Sequence, residues 1–313
     1  MQAIAQKKPG ERSSRKRRKA WEQEGVVGTD TVVISGGRGV TAHLQFQRIF
    51  KKKGKQGIAG LCKVDGEPKV FKISRYINHT VRHEDNVLKS LGMISGFCPY
   101  FCTNGRLWSV EVSKDFREQS NPFAVEPGKH KITIDLLTMD YVQGRPLSSL
   151  VKTEKVSDAA LFGAVRQTLA AVIMAQDEVS FTHYDLHSSN ILVRPCPEDS
   201  VSLFVTGSTQ FQTPTYGLRP VVIDFGFSHA KACQKKPVYA SLAHTDIGFL
   251  THRYDAMSDC KLFLISMAYE MKMYREGSPY CSHYRKVVKN VFRKLSTDEN
   301  SGWDKGYTNL SAI

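Results

Sequence analysis

The chain is short of the features that secreted and membrane proteins depend on. No apolar run approaches the length that spans a bilayer, and the N-terminus has no apolar core of a signal peptide. Both absences predict a soluble intracellular protein with no membrane partner. Cysteine is sparse and scattered: Cys62, Cys98, Cys102, Cys196, Cys233, Cys260 and Cys281. Seven cannot all pair within one chain. Cys98 and Cys102 have no second Cys/His pair at ligand spacing, which argues against a zinc site. Reduced thiols are therefore expected. No internal repeat is present, and that excludes a solenoid.

Acidic residues are also in deficit, with 30 Asp and Glu against 44 Lys and Arg, a net charge of +14. The imbalance is uneven. Residues 1–20 carry Lys7, Lys8, Arg12, Arg15, Lys16, Arg17, Arg18 and Lys19 against Glu11 alone, and so hold seven of the fourteen excess charges. Such a stretch buries too little apolar surface to offset its ordering entropy, so 1–25 is expected to be a disordered basic tail. It reads equally as a plain solvated arm or as a nuclear address and nucleic-acid contact at Arg15–Lys19. The rest, in a chain of 313 residues that is 41% hydrophobic, suffices for one large or two-lobed domain over 26–313.

Within that body, 31–73 alternates in short apolar runs that predict strands and tight turns, the clearest turn being Asp65-Gly66-Glu67-Pro68. Residues 78–91 have a helical pattern with Val81, Val87, Leu88 and Leu91 on one face. A further strand pair ends in the apolar run 132–142. After Gly144 the pattern turns helical: 157–178, with Ser157 as N-cap, and 255–273. Between them, 196–220, rich in Ser, Thr, Pro and Gly, reads as an inserted loop or hairpin between two short strands. Strands first and helices later predict an α+β fold with an N-lobe at about 30–143 and a C-lobe at about 144–313.

The chemistry concentrates in two short segments. Thr182-His-Tyr-Asp-Leu-His-Ser-Ser-Asn190 follows the long helix and precedes an apolar strand, with Asp185 five residues before Asn190. Val221-Val-Ile223 then ends in Asp224-Phe225-Gly226. Phosphoryl transfer asks for a carboxylate at the acceptor hydroxyl and oxygen ligands for a cation across the phosphates. Asp185 fits the first role, Asn190 and Asp224 the second. Taken singly, each is also an ordinary turn residue.

The two motifs together resemble the eukaryotic-type protein kinase family, whose catalytic loop reads H-R-D-L-x-x-x-N and whose metal motif reads D-F-G. The resemblance implies a bilobal fold, ATP and Mg²⁺ as cofactors, and transfer to a protein Ser or Thr. It makes Val70-Phe71-Lys72-Ile73 the strand whose Lys72 meets the phosphates, with Glu84 rather than Asp85 as its ion-pair partner. It makes Gly54, Gly57 and Gly60 the phosphate loop, with Gly36-Gly37-Arg38-Gly39 as the alternative. Met139–Gly144 becomes the hinge, backbone groups at Asp140 and Val142 pairing with adenine and Val70 packing on it. The 39 residues between Asp185 and Asp224, the Asp185-Leu186-His187 sequence and the lack of an A-P-E motif resemble the haspin branch. That branch implies a basic nuclear or chromatin protein as substrate and a nuclear site of action. Asp259 would brace the catalytic loop. The chain is expected to be a monomer, and it fits the abbreviated kinases with basic tails found in large DNA viruses.

Departures shape the expectation. Tyr184 stands where the family has arginine, so the segment from Asp224 to about Tyr254 should be ordered without a phosphate, with the 196–220 hairpin as brace. Ser228, Tyr239, Ser241, Thr245 and Thr251 are then acceptors that no switch requires. His187 replaces the usual lysine near the γ-phosphate. Beyond about 275 the chain is too short for a full set of late helices. The rival readings are a small-molecule phosphotransferase and a pseudokinase scaffold.

Overall fold

A computed structural model describes residues 31–50, 57–74, 79–94, 99–125, 127–153, 155–207, 209–231 and 253–293. The basic tail, Gly54, Tyr239, Ser241, Thr245 and Thr251 lie outside them. The architecture is mixed α+β. Six strands close into a barrel: β1 (Thr31–Ser35), β2 (Thr41–Ile49), β3 (Gly57–Val64), β4 (Glu67–Ser74), β5 (Gly105–Ser113) and β6 (Lys131–Asp140), in the order β1-β2-β3-β4-β6-β5. Closure comes from β1, which pairs with β2 along its length and meets β5 at Ser35 and Ser109. The Asp65-Gly66 link between β3 and β4 takes two positive φ angles, 50° and 87°, as the tightest hairpins require. Side chains alternate in and out along β3, so that Ile58, Cys62 and Val64 join Phe71, Ile73, Trp108 and Leu136 in the barrel interior.

Helix α1 (His79–Leu91) follows β4 and buries Val81, Val87, Leu88 and Leu91, the face read from the sequence. After β6 come β7 (Arg145–Pro146), α2 (Leu147–Val151) and the 22-residue α3 (Asp158–Val179). Ser157 caps α3, its hydroxyl accepting the Ala160 N–H at 3.2 Å. In length and composition α3 matches a membrane-spanning helix, against the expectation that no run does. Its apolar surface is instead buried in protein, through Leu161, Ala164, Val165, Ala171, Val172 and Ala175. A helix apolar on most sides is what the centre of a large core also needs.

A three-stranded sheet, β11-β8-β7, joins β8 (Ile191–Pro195) to β11 (Leu218–Val222). Between these two the insertion forms the hairpin β9 (Val201–Thr206) and β10 (Thr209–Pro214). Two further helices, α4 (Ser258–Tyr274) and α5 (Pro279–Arg293), pack through Ile265, Ala268, Val288 and Phe292. Helix α5 is the one helix among the described residues beyond 275. Arg275 fastens the end of α4 to the α2–α3 connection, donating to the Val151 and Val156 carbonyls at 2.9 Å and to Asp158 at 2.8 Å.

The hairpin belongs to the core. Phe204 is fully buried, stacks on Phe211 at 5.2 Å and meets Tyr100 at 4.9 Å. Ser202 donates to Gln167 of α3, which also donates to the Leu218 carbonyl. Its described contacts include α3 and Tyr100; most of the segment it was expected to brace, 232–252, lies outside the described residues. Phe204→Ala should cost about 3 kcal/mol of stability, read from the urea midpoint, because it empties a site that two rings and a helix enclose.

Candidate active site

Strand β4 sends alternate side chains to opposite sides: Phe71 and Ile73 into the barrel, Val70 and Lys72 towards the helices. The Lys72 ammonium there meets two carboxylates. Its Nζ lies 2.7 Å and 2.8 Å from the two oxygens of Glu84 on α1, and 2.7 Å from Asp224 Oδ1. Burial works against the charge on Lys72, but Asp224 and Glu84 outweigh it and hold its pKa above the usual lysine value. Burial likewise opposes ionisation of Asp224, and Lys72 overcomes it, keeping that carboxyl low. Glu84 is pulled upward by burial, with Lys72 opposing. Asp85 faces elsewhere and pairs with Lys89 one turn on.

Asp224 follows β11 at a φ of 69°, a left-handed conformation that aspartate tolerates. The next residue, Phe225, is buried among Phe101, Phe181 and His183, and its N–H donates to Glu84 Oε1 at 3.1 Å. Burial depresses the His183 imidazole to about 4, so the ring is neutral. Nε2 donates to the Ile223 carbonyl at 3.1 Å, and Nδ1 accepts from the Asp185 N–H.

Asn190 sits in a short 3₁₀ turn, Ser188–Asn190, just before β8. Its amide nitrogen donates to the Asp185 carbonyl at 2.9 Å and to Asp185 Oδ2 at 3.1 Å, which leaves the amide oxygen as the outward donor atom. The Asn190 carbonyl accepts from the Ile223 N–H at 3.0 Å, placing Asn190 beside Asp224. His187 Nε2 lies 3.6 Å from Asp185 Oδ1. Among the described residues no group of three or more His, Cys, Asp or Glu is suited to a metal ion. A carboxylate and an amide oxygen nonetheless suit magnesium, which takes few protein ligands when phosphates supply the rest.

The loop needs support, because Tyr184 is buried at a φ of 62°, a costly angle for an aromatic residue. Asp259, in the first turn of α4, supplies it by accepting the His183 N–H at 2.7 Å and the Tyr184 N–H at 2.9 Å. A second tie runs from Ser188 Oγ to Glu270 of the same helix at 2.5 Å. The sequence pointed to Asp259 through a family pattern, but nothing in it signalled Glu270, 82 residues from Ser188.

Other sequence candidates fall differently. Gly57 and Gly60 lie inside β3, paired with Ser74 and Phe71. A Cβ on Gly57 would come within 2.2 Å of the Ile73 carbonyl oxygen; one on Gly60 would meet the Arg48 carbonyl at 2.3 Å and the Phe71 ring at 2.6 Å. Close strand and ring packing therefore accounts for both glycines without a phosphate. Gly36-Gly37-Arg38-Gly39 is the turn between β1 and β2, its three-residue 3₁₀ element spanning Gly37–Gly39. The Asp140 N–H is donated to the Asn104 carbonyl at 3.2 Å, and the Asp140 carbonyl accepts from Cys102 Sγ at 3.6 Å. Its carboxylate turns away to Lys69 and Asn104, into a cavity of about 470 Å³ at the barrel mouth. That cavity contains none of the Lys72–Asp224 cluster. Val70, Val142 and Ile223 are half-buried against the core on the helical side.

No family model matches the chain. It is 27% identical over 308 residues to "Uncharacterized protein 038R" of Invertebrate iridescent virus 3, an alignment covering 84% of the chain and 54% of that protein. "Probable kinase 098L" of the same virus is 31% identical over 128 residues, covering 41% of the chain and 24% of the relative. "Putative phosphotransferase 057R" of Frog virus 3 (isolate Goorha) is 23% identical over 217 residues, covering 64% and 41%. The chain spans about half or less of the length of these curated relatives. The last two establish a distant homology to viral proteins named as a probable kinase and a putative phosphotransferase.

Burial pushes the Asp259 carboxyl up to about 7, with the two N–H groups holding it back. Between about pH 4 and pH 7 the folded chain keeps a proton that the unfolded chain has released. Stability from this residue therefore falls as pH rises through that window, by at most about 1.4 kcal/mol per unit. Urea midpoints measured from pH 4 to 8 should fall less steeply with pH in Asp259→Asn than in the unmodified protein.

Proposed function

We propose that the chain is an ATP- and Mg²⁺-dependent serine/threonine protein kinase, the barrel and helical parts forming its two lobes. The observation that carries the reading is the Lys72 ammonium held between Glu84 and Asp224, next to a braced loop bearing Asp185 and Asn190. In this reading Lys72 steadies the inner phosphates, and Val70, Val142 and Ile223 enclose the adenine ring. The Asp140 carbonyl meets the edge of that ring. Asp224 and the Asn190 amide oxygen hold magnesium, which supplies charge neutralisation across the phosphates when bound. Asp185 orients the acceptor hydroxyl and takes its proton, while Asn190 fixes its carboxylate. His187, whose Nδ1 accepts the Ser189 N–H, turns Nε2 towards Asp185 at the place where the resembling kinases carry a lysine. The names of the viral relatives support phosphotransfer in general. The haspin-like loop and insertion favour a protein acceptor, with basic nuclear or chromatin proteins as the class to try first and the basic tail as a nucleic-acid contact.

Purified protein incubated with labelled ATP, Mg²⁺, histones, other basic proteins and aminoglycosides tests the reading. Label on serine or threonine is the expected result; label only on a small molecule would replace it with a small-molecule phosphotransferase. Asp224→Ala should abolish metal-dependent transfer. Asp185→Asn should bind nucleotide within about twofold of the unmodified protein yet turn over more slowly by a hundredfold or more. Full turnover in Asp185→Asn would remove the base from the mechanism.

A further inference from the structure

The loop that carries Asp185 also grips the segment that leaves Asp224, at both of that segment's flanks. At the departing end, Thr182 and His229 form an antiparallel bridge, each N–H donating to the other's carbonyl at 3.0 Å and 2.6 Å. One residue earlier, the Ser228 hydroxyl donates to the His183 carbonyl at 3.2 Å, while the Ser228 carbonyl accepts from His83 Nε2 of α1 at 2.6 Å. Ser228 is fully buried, so a kinase cannot reach it, and it drops out of the acceptors considered above. At the returning end, the Tyr184 hydroxyl donates to the Arg253 carbonyl at 2.5 Å. Thr182 Oγ1 accepts from the Asp255 N–H at 2.9 Å and donates to the Asp255 carbonyl at 3.0 Å. Three consecutive residues, 182–184, thus hold the chain where it departs and where it comes back.

We infer that Tyr184 is a positioning residue, a permanent hydrogen-bonded clamp on the returning flank where switchable kinases place an arginine that needs a phosphate. The inference rests on the kinase reading and concerns regulation of that same site. An arginine in this position holds a neighbouring segment only once a phosphate has been added there, since its charge must find an opposite one. A phenol finds a backbone carbonyl, which is always present. Asp259 makes the arrangement durable by holding the Tyr184 backbone at its unfavourable φ, so that the ring points to Arg253. The acceptor side of the site is then assembled as soon as the chain folds.

Tyr184→Phe removes the hydroxyl and keeps the ring, and Thr182→Val removes the other hydroxyl that holds the returning flank, at equal size. Each should raise the KM for the protein acceptor about tenfold, what one buried hydrogen bond of about 1.4 kcal/mol converts to, with ATP affinity changed less than twofold. Amide hydrogen exchange at 253–257 should quicken by a similar factor in both variants, while α3 stays as protected as before. The unmodified protein should keep its activity after phosphatase treatment. Unchanged exchange at 253–257 in Tyr184→Phe would overturn the clamp. So would a loss of activity on phosphatase treatment that rephosphorylation restores. The exchange measurement needs no turnover, so it judges the clamp even if the protein transfers no phosphate; that second result would count against the kinase reading alone.

Discussion

One buried ammonium sets the terms for the rest of the molecule. Lys72 is met by Glu84, 12 residues along the chain, and by Asp224, 152 residues along, and both contacts are at 2.7 Å. It therefore fixes three elements against each other: β4 of the barrel, α1 beside it, and the turn that follows β11. Two carboxylates share a single positive charge, so the cluster carries a surplus negative charge at Asp224, whose side chain is 38% exposed. Buried charges of this kind contribute little net stability once desolvation is counted, and removing one partner leaves the others uncompensated. Their retention is better explained by what they position than by what they stabilise.

Positioning on the helical side depends on α4. Its first turn offers Asp259 to the backbone at His183 and Tyr184, and three turns later Glu270 takes the Ser188 hydroxyl. The loop between these anchors includes a residue in a left-handed conformation, which a free loop would relax. Arg275 in turn fastens α4 to the stretch joining α2 and α3 through four backbone carbonyls and Asp158. Strain at Tyr184 is thus offset by hydrogen bonds from a helix that is itself fixed at its far end. The neutral His183 ring completes the set by linking the loop to Ile223, one residue before Asp224.

Much of this was legible in the sequence. The Asp65-Gly66 turn, the capped start of α3 and the apolar face of α1 follow from local patterns, since turn chemistry and periodicity act over a few residues. Asp185, Asn190 and Asp224 stood out because two motifs occurred in order, and Lys72 and Glu84 followed from the family resemblance those motifs carry. What escaped was whatever depends on distant chain meeting distant chain. Closure of the barrel by β1 rests on Ser35 meeting Ser109, which no local pattern encodes. His83 meets the Ser228 carbonyl across 145 residues, and a lone histidine on a helix carries no mark of it. Helix α3 was placed from its cap and pattern, but its match to a spanning helix in composition went unread, and only packing shows what covers it. The glycines at 57 and 60 resembled a phosphate loop, and the neighbouring strands and the Phe71 ring give their missing side chains a packing reason that the sequence did not show.

Those glycines bear on the site after all, by a different route. Successive side chains of a strand face opposite ways, so slipping β4 by one residue would turn Lys72 into the barrel and Phe71 out of it. The register is held by size. Phe71 fills the barrel interior against Phe46 and Phe123, with centroids at 6.0 Å and 5.0 Å, and its ring lies where any side chain on Gly60 would be. A lysine offered to that space would place its ammonium among rings with no carboxylate to meet it, a cost far above that of any single packing defect. On the other side, Lys72 pairs in register with Leu137 of β6, and Val70 with Met139, so β4 is gripped along both edges. The direction in which Lys72 points is therefore decided inside the barrel, by the fit of one phenylalanine over one glycine. The ion pairs with Glu84 and Asp224 depend on that fit.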